Sequence, residues 1–172
     1  MISVTYVLGN IKREEKFRET YEAMCRKDEC EKVVISRIES QRARIRKATD
    51  KGTDIGLTLQ QGYTIRDGDV LYQTNDKMIV AEIEPENVAV LAFKQEDMAD
   101  NELFEVAVKI GHALGNLHRP IRVEGAKVFL PIQADTEIEL LNKIFTPFID
   151  HLTITRTKMV FEADEGLHTH EH

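Results

Sequence analysis

The sequence contains no tryptophan, and only two cysteines and four prolines occur among its 172 residues. Two cysteines are too few for a disulfide framework, so we expect Cys25 and Cys30 to be reduced thiols in a cytoplasmic protein. There is no run of about 18 uncharged apolar residues, which a membrane-spanning helix needs. The first ten residues carry no basic side chain and no long apolar core, so we expect no secretory signal.

Positive charge is also scarce. The chain has 23 Lys and Arg against 30 Asp and Glu, and its formal net charge is −7. This balance gives no general electrostatic reason to bind nucleic acid or an anionic membrane. One basic segment, Arg42-Ala43-Arg44-Ile45-Arg46-Lys47, is predicted to place three arginines on one strand face. It is either a solvated face or a docking site for an acidic partner or phosphate.

Motifs of catalysis are missing as well. The nine glycines are scattered, so they form no phosphate-binding loop. No Ser or Cys lies in a nucleophile motif, and the histidines lack the His-Glu-x-x-His order of zinc proteases. We therefore predict a protein that is not an enzyme.

Residue types change near Glu84-Pro85, and this change predicts a domain boundary. All four prolines lie from Pro85 onward, all four tyrosines lie at or before Tyr72, and all six histidines lie from His112 onward. Proline also disfavours helix at the residue before it. We predict an α+β protein in three parts, namely residues 1–84, residues 85–161 and a flexible His-containing tail of residues 162–172.

The first part is predicted to be a small, mostly-β domain that contacts a partner or peptide. Short apolar runs separated by turn signals are typical of such a domain. The run Ile55-Gly56-Leu57-Thr58-Leu59 alternates, so its three large apolar residues share one strand face. Val33 opens another strand, which we expect to extend as far as Arg46. The charged segment 12–27 is predicted to be a loop or a short helix.

The second part is predicted to be a ferredoxin-like βαββαβ domain. Its first helix has apolar residues at helical spacing, at Leu103, Ala107, Ile110 and Leu114. A hairpin is predicted to turn at Glu124-Gly125. Thr136 and Glu139 are predicted to form a capping box at the start of the second helix. The apolar face of that helix comprises Ile138, Leu141, Ile144, Phe145 and Phe148.

His118 is the most informative histidine. It lies on a constrained corner, two positions past the helix-ending pair Gly115-Asn116 and two before Pro120. Its imidazole is either a ligand for nickel, zinc or copper, or a surface or interface histidine bonded to backbone. His112 falls on the polar helix face and is expected to be solvated. His151 is expected to cap the second helix or to face an interface.

The chain ends in His168-Thr169-His170-Glu171-His172. Alternating histidines with a carboxylate can wrap a divalent ion when the segment is mobile. The other interpretation is a purification remnant. An engineered tag is normally an unbroken histidine run, so we favour a native tail.

The segment Gly111-His112-Ala113-Leu114-Gly115-Asn116-Leu117-His118-Arg119-Pro120 resembles the His-Leu-Gly-Asn-Arg-His-x-Pro signature of the UreE family of urease accessory metallochaperones. The likeness extends to the arginine segment, to the Ile55–Leu59 run and to Asp67-Gly68-Asp69. Phe161-Glu162 resembles the family's C-terminal region. The segment differs from the family signature at two positions. Ala113 stands where the family usually has Leu, and Leu117 stands where it usually has Arg.

This resemblance implies a nickel-binding metallochaperone that delivers Ni²⁺ to apo-urease. It also implies a homodimer in which His118 meets its two-fold mate, and we expect contact around Leu114, Leu117 and Pro120. We expect the tail residues His168, His170 and His172 to complete the ligands. Zn²⁺ or Cu²⁺ is expected to bind the same site in vitro.

The implied partners are apo-urease and other urease accessory proteins, including the assembly GTPase, with no nucleic acid and no membrane. Two alternatives stay open. One is a metal-dependent hydrolase that uses His118, and the other is a ferredoxin-like protein-interaction module with no metal role. A metal titration separates the chaperone from the interaction module.

Overall fold

The computed structural model describes residues 1–94 and 99–164. The chain divides into two compact units, Met1–Glu84 and a second that begins at Pro85. The mixed α+β class predicted from the sequence is confirmed. Within the described ranges, no helix combines the length and apolar character needed to cross a bilayer.

The first unit is built from two sheets and two helices. Its elements are β1 Ile2–Val4, β2 Gly9–Asn10, α1 Glu15–Cys25, β3 Cys30–Ile35, α2 Arg37–Ser40, β4 Arg44–Ala48, β5 Asp54–Thr58, β6 Asp69–Gln73 and β7 Met78–Ile83. In one sheet β5 pairs with β1 in parallel and with β4 in antiparallel fashion. The other sheet has the order β2-β6-β7-β3, with β3 and β7 parallel.

Apolar spacing explains the burial in this unit. The three alternating residues of the β5 run are all buried, as predicted. In α1, Phe17, Tyr21 and Met24 follow the i, i+4, i+7 spacing of one helical face. They pack on a core that includes Val70 and Met78. Of the two structures predicted for segment 12–27, the helix is therefore the one that forms.

The strand predicted from Val33 to Arg46 is wrong, because a short helix interrupts it. Ser36 Oγ accepts the Glu39 backbone N–H at 3.3 Å, and the Glu39 carboxylate accepts the Ser36 N–H at 2.9 Å. This reciprocal capping box starts α2, and its Ser-x-x-Glu pattern is visible in the sequence. A new strand, β4, begins only at Arg44, so Arg42 lies outside it.

The second unit alternates strands and helices in the order β-α-β-β-α-β. Its elements are β8 Glu86–Phe93, α3 Asp100–Gly115, β9 Arg122–Glu124, β10 Lys127–Pro131, α4 Thr136–Ile144 and β11 Leu152–Met159, with a 3₁₀ turn at Thr146–Phe148. The sheet order is β11-β8-β10-β9, and every pairing is antiparallel. Gly125 has a φ of 55° at the predicted hairpin turn.

Both faces of this sheet are covered. On one face the helices pack against Ala89 and Leu91 of β8. The buried helical residues there are Val106, Ile110, Leu114, Leu141 and Phe145. On the other face Val88 and Val90 contact Phe161, which lies in the segment after β11. Because β8 is buried on both faces, its residues are apolar at successive positions, from Val88 to Leu91.

Two predicted details of the helices are wrong. Ala107 is exposed, and Val106 takes its place in the core, because the buried face of α3 is rotated from the one predicted. The predicted capping box of Thr136 and Glu139 does not form. The helix N-cap is Asp135, with no side-chain cap. The Glu137 carboxylate instead accepts the N–H groups of two residues that precede the helix.

Candidate metal centre

The end of α3 places His118 on an unusual backbone. After the helix, Leu117 N–H donates to Leu114 O at 3.0 Å and His118 N–H donates to Gly115 O at 3.1 Å. His118 then has a φ of 50°. A residue with a Cβ is uncommon in this left-handed region, where glycine is the usual choice. The sequence suggested Gly115-Asn116 as the helix end, but the left-handed residue is the histidine itself.

Arg119 fixes the corner on the other side of His118. Its guanidinium donates to the Pro131 carbonyl at 3.3 Å and forms an ion pair with Glu137. Burial raises the pKa of Glu137, but hydrogen bonds from Gln133 and Arg119 outweigh it, so the pKa lies below its ordinary value. The carboxylate is therefore charged at neutral pH. It ties the chain after His118 to the start of α4.

The His118 side chain is exposed at this corner. Among residues 1–94 and 99–164, no three His, Cys, Asp or Glu side chains are grouped so that they could hold a metal ion. One imidazole is a competent ligand for nickel, zinc or copper, but it is not a complete site. A metal site at His118 would need further ligands from outside the described part of this single chain.

Of the other histidines, His112 and His151 are described by the structure. His112 is exposed, and its Nε2 lies 3.4 Å from Asn116 Nδ2, as expected for a solvated residue on the polar face. His151 is half-buried in the turn before β11, where its backbone N–H donates to Phe148 O at 2.9 Å. The predicted ligands His168, His170 and His172 lie outside the described residues.

The described chain before that histidine segment is held close to the corner. Phe161 is buried against the sheet. Asp164 Oδ2 accepts the Val123 N–H at 2.9 Å, and the Asp164 N–H donates to Ile121 O at 3.2 Å. Ile121 is three residues after His118, so the segment that leads to the tail is bonded to the chain next to the candidate ligand. No local pattern in the sequence predicts that Asp164 is bonded to Ile121 and Val123.

One face of α3 is apolar but exposed. Phe104 is 72% exposed and Val108 is 55% exposed. A Cβ built on Gly111 or Gly115 would meet no atom within 4 Å. We call this surface the α3 stripe, and its members are Phe104, Ala107, Val108, Gly111 and Gly115. It is distinct from the core face and ends one turn before His118.

The residues expected at a dimer contact belong largely to the core of the unit itself. Leu114 is 3% exposed and Leu117 is half-buried against the same core. Leu114 therefore offers almost no surface to a second chain, whereas Leu117 and Pro120 are partly exposed, and the dimer contact around them stays a prediction. Leu117 lies where the family signature has Arg, and this packing explains why an apolar residue fits there.

The arginine segment is only partly a shared strand face. Arg44 and Arg46 are exposed on β4, which is an edge strand. Arg46 donates to Asp54 through two nitrogens, at 3.1 and 3.0 Å. The Arg46 guanidinium is therefore already paired with a carboxylate of this chain, although the sequence allowed it as a binding group for an acidic partner or phosphate.

Comparison with known proteins gives the same family that the signature suggested. Residues 4–84 match the family described as UreE urease accessory protein, N-terminal domain. A urease accessory protein UreE of Natronomonas pharaonis is 36% identical over 108 residues, which are 63% of this chain and 49% of that protein. Residues 4–84, nearly the whole first unit, thus match the UreE family of urease accessory proteins, and the chain as a whole is similar to UreE proteins. UreE proteins are accessory proteins and not enzymes, which confirms that part of the prediction.

Two further relatives show how much of the length is shared. The UreE of Yersinia intermedia is 25% identical over 190 aligned residues, covering 100% of this chain and 81% of that protein. The UreE of Yersinia aldovae is 29% identical over 139 residues, covering 79% of this chain and 59% of that protein. The chain thus spans about half the length of the Natronomonas pharaonis UreE and about three fifths of the Yersinia aldovae one.

Proposed function

We propose that this protein is a nickel-binding metallochaperone that delivers Ni²⁺ to apo-urease in the cytoplasm. The observation that carries the proposal is His118, an exposed imidazole held in a left-handed conformation between the end of α3 and the Arg119 ion pair. Such a backbone costs free energy and persists where the surrounding structure imposes it, often at functional sites. Similarity to UreE proteins makes urease maturation the relevant process.

A homodimer would double the single ligand of each chain. A closed two-fold interface brings the same residue of both chains together, so two His118 side chains can meet. The α3 stripe supports this arrangement, because it is apolar, is flattened by two glycines and leads directly to His118. Association along the stripe buries Phe104 and Val108 without removing any charge from water. The second unit, with its ferredoxin-like element order, is then the dimerisation and metal-binding domain.

The tail histidines His168, His170 and His172 would supply further imidazoles. His168 lies four positions after Asp164, a distance of at most roughly 14 Å in an extended chain. Asp164 is bonded to Ile121 and Val123, so this reach includes the corner that carries His118. Ligands on a segment outside the dimer core can leave one at a time. A donor needs such stepwise release, since a closed rigid site would retain its ion.

Nickel is the cargo of the proposed site, and Zn²⁺ or Cu²⁺ would compete for the same imidazoles in vitro. The hydrolase alternative loses its support, because the family is one of accessory proteins. The interaction module without a metal role remains the second candidate. The proposed partners are apo-urease and other urease accessory proteins, including the assembly GTPase.

The first unit is proposed to contact these partners. It holds a cleft of about 460 Å³ lined by polar and charged side chains, among them Arg13, Tyr63 and Asp69. Asp69 is buried, and it accepts hydrogen bonds from Asn10 and Tyr63 at 2.9 and 3.2 Å. These bonds hold the walls of the cleft in place. A polar cleft of this size would accommodate a segment of a partner chain.

Calorimetric titration of the metal-free full chain with nickel tests the proposal. We expect the tightest site to saturate at about half an ion per chain, because two chains share it. His118→Ala should abolish that site. His112→Ala is the matched control, since His112 is also exposed and lies six residues earlier on α3, and it should leave the site intact. Retention of the tightest site in His118→Ala would refute the assignment.

A further inference from the structure

The end of α1 and the start of β3 bring together two thiols that the proposed function does not use. The helix ends in a Schellman turn, in which Glu29 N–H donates to Met24 O at 3.0 Å and Asp28 N–H donates to Cys25 O at 3.1 Å. Asp28 supplies the left-handed residue, with a φ of 63°. The turn reverses the chain, so Cys30 enters β3 beside the last turn of α1.

Cys30 lies against the part of α1 that carries Cys25. Cys30 Sγ lies 3.4 Å from the Tyr21 carbonyl oxygen. Tyr21 and Cys25 are four residues apart on α1, so their side chains share one face. Burial and, after it, the neighbouring Cys25 raise the pKa of Tyr21 and that of Cys30. Cys25 and Cys30 thus belong to one cluster on different elements.

The two thiols have different surroundings. Cys25 is exposed, whereas Cys30 is buried beside Met24 and Met78 in the core of the first unit. Burial, followed by the neighbouring Cys25, raises the pKa of Cys30 to about 12. An oxidant in solution therefore reaches Cys25 first, while Cys30 stays protonated and shielded until its partner has reacted.

We propose that Cys25 and Cys30 are a redox-active dithiol that a hydroperoxide closes to an intramolecular disulfide. Cys25, as its thiolate, attacks one peroxide oxygen, and the O–O bond breaks to give a sulfenic acid and an alkoxide, or hydroxide from hydrogen peroxide. The Cys30 sulfur then attacks the sulfenic sulfur, and the S–O bond breaks. The departing hydroxide and the thiol protons leave as water and alcohol. Two sulfurs are oxidised and one peroxide is reduced by two electrons.

The disulfide would join α1 to β3 inside the first unit. His118 belongs to the second unit, so oxidation should leave nickel binding at the His118 site unchanged. This separation makes the thiol pair testable independently of metal binding.

The full chain is treated with hydrogen peroxide, and free thiols are counted beside an intact-mass measurement. We expect both thiols to be lost together, with a mass decrease of two hydrogen atoms, and we expect dithiothreitol to restore them. Peptide mapping should recover Cys25 linked to Cys30. In Cys25→Ser, Cys30 should stay reduced under the same treatment. In Cys30→Ser, Cys25 should be trapped by dimedone as a sulfenic acid.

Two results would overturn the proposal. One is a wild-type chain whose Cys25 reaches sulfenic or sulfinic acid while Cys30 remains a free thiol. The other is a disulfide that links different chains on a non-reducing gel. Cys30 is a core residue, so Cys30→Ala is prepared beside Cys30→Ser, and circular dichroism selects the folded variant. The wild-type peptide map decides the matter even if neither variant folds.

Discussion

At the scale of single residues, His118 occupies a position that glycine would fit better. Its φ of 50° brings the Cβ close to neighbouring backbone, which costs about 1 kcal/mol for a residue other than glycine. The helix end needs a left-handed residue, but it does not need an imidazole. The side chain is therefore explained by chemistry rather than by stability, which fits a metal ligand.

This strain predicts opposite effects of glycine at His118, which follows α3, and at His112, which lies within it. His118→Gly should be more stable than His118→Ala by about 1 kcal/mol, because glycine relieves the left-handed strain. His112→Gly should be less stable than His112→Ala by about 1 kcal/mol, because His112 lies within α3. Urea unfolding of the metal-free proteins measures both differences. Equal stability of the two His118 variants would show that the corner is not strained in solution.

At the scale of elements, α3 carries two apolar faces with different roles. The face with Val106, Ile110 and Leu114 is buried against the sheet. The α3 stripe is exposed, and it is broader than the scattered apolar residues that soluble proteins normally leave on their surface. A helix that is apolar on a second side indicates a second packing partner, which we propose is another copy of this chain.

The α3 stripe predicts how the dimer can be broken. Phe104→Glu should weaken self-association by roughly tenfold or more, because it places a charge within an apolar contact. Sedimentation of chelator-treated protein measures the change without any contribution from metal. Leu140→Glu is the matched control, since Leu140 is 51% exposed on α4 and outside the stripe. If both variants sediment like the wild type, the stripe is not the dimer contact.

At the scale of the whole molecule, different tasks fall to different parts of the chain. The first unit holds the polar cleft and the thiol pair, and the second holds His118 and the α3 stripe. The segment through Phe161 and Asp164 connects the second unit to the tail. The proposed metal capture by the tail can therefore be tested by deleting the residues that follow Asp164.

Deletion of residues 165–172 should keep the dimer and the His118-centred site but weaken nickel binding. It should also flatten the loss of affinity between about pH 7 and 5.5, because fewer histidines exchange a proton for the metal. Ordinary imidazoles gain a proton as the pH falls through about 6.5, so each additional ligand makes the dependence steeper. Nickel affinity is measured at several pH values. Identical slopes for the full and shortened chains would exclude the tail from binding.

Much of the local structure was determined by the sequence itself. The helix around Leu103–Leu114, the hairpin at Gly125 and the buried residues of β5 follow from spacing and turn chemistry, which act between near neighbours. The family signature around His118 is also local. The Ser36–Glu39 capping box was readable in the sequence too, but the β-branched run before it favoured a longer strand.

Tertiary structure decided the rest. The rotation of α3 that buries Val106 and exposes Ala107 depends on the sheet against which the helix packs. The bond from Val123 to Asp164 joins residues 41 positions apart, and the approach of Cys30 to the Tyr21 carbonyl of α1 requires the chain reversal at Asp28. The left-handed His118 is imposed by the corner between α3 and the Arg119 ion pair. These features depend on which surfaces meet in the folded chain, and periodicity along the sequence carries no information about that.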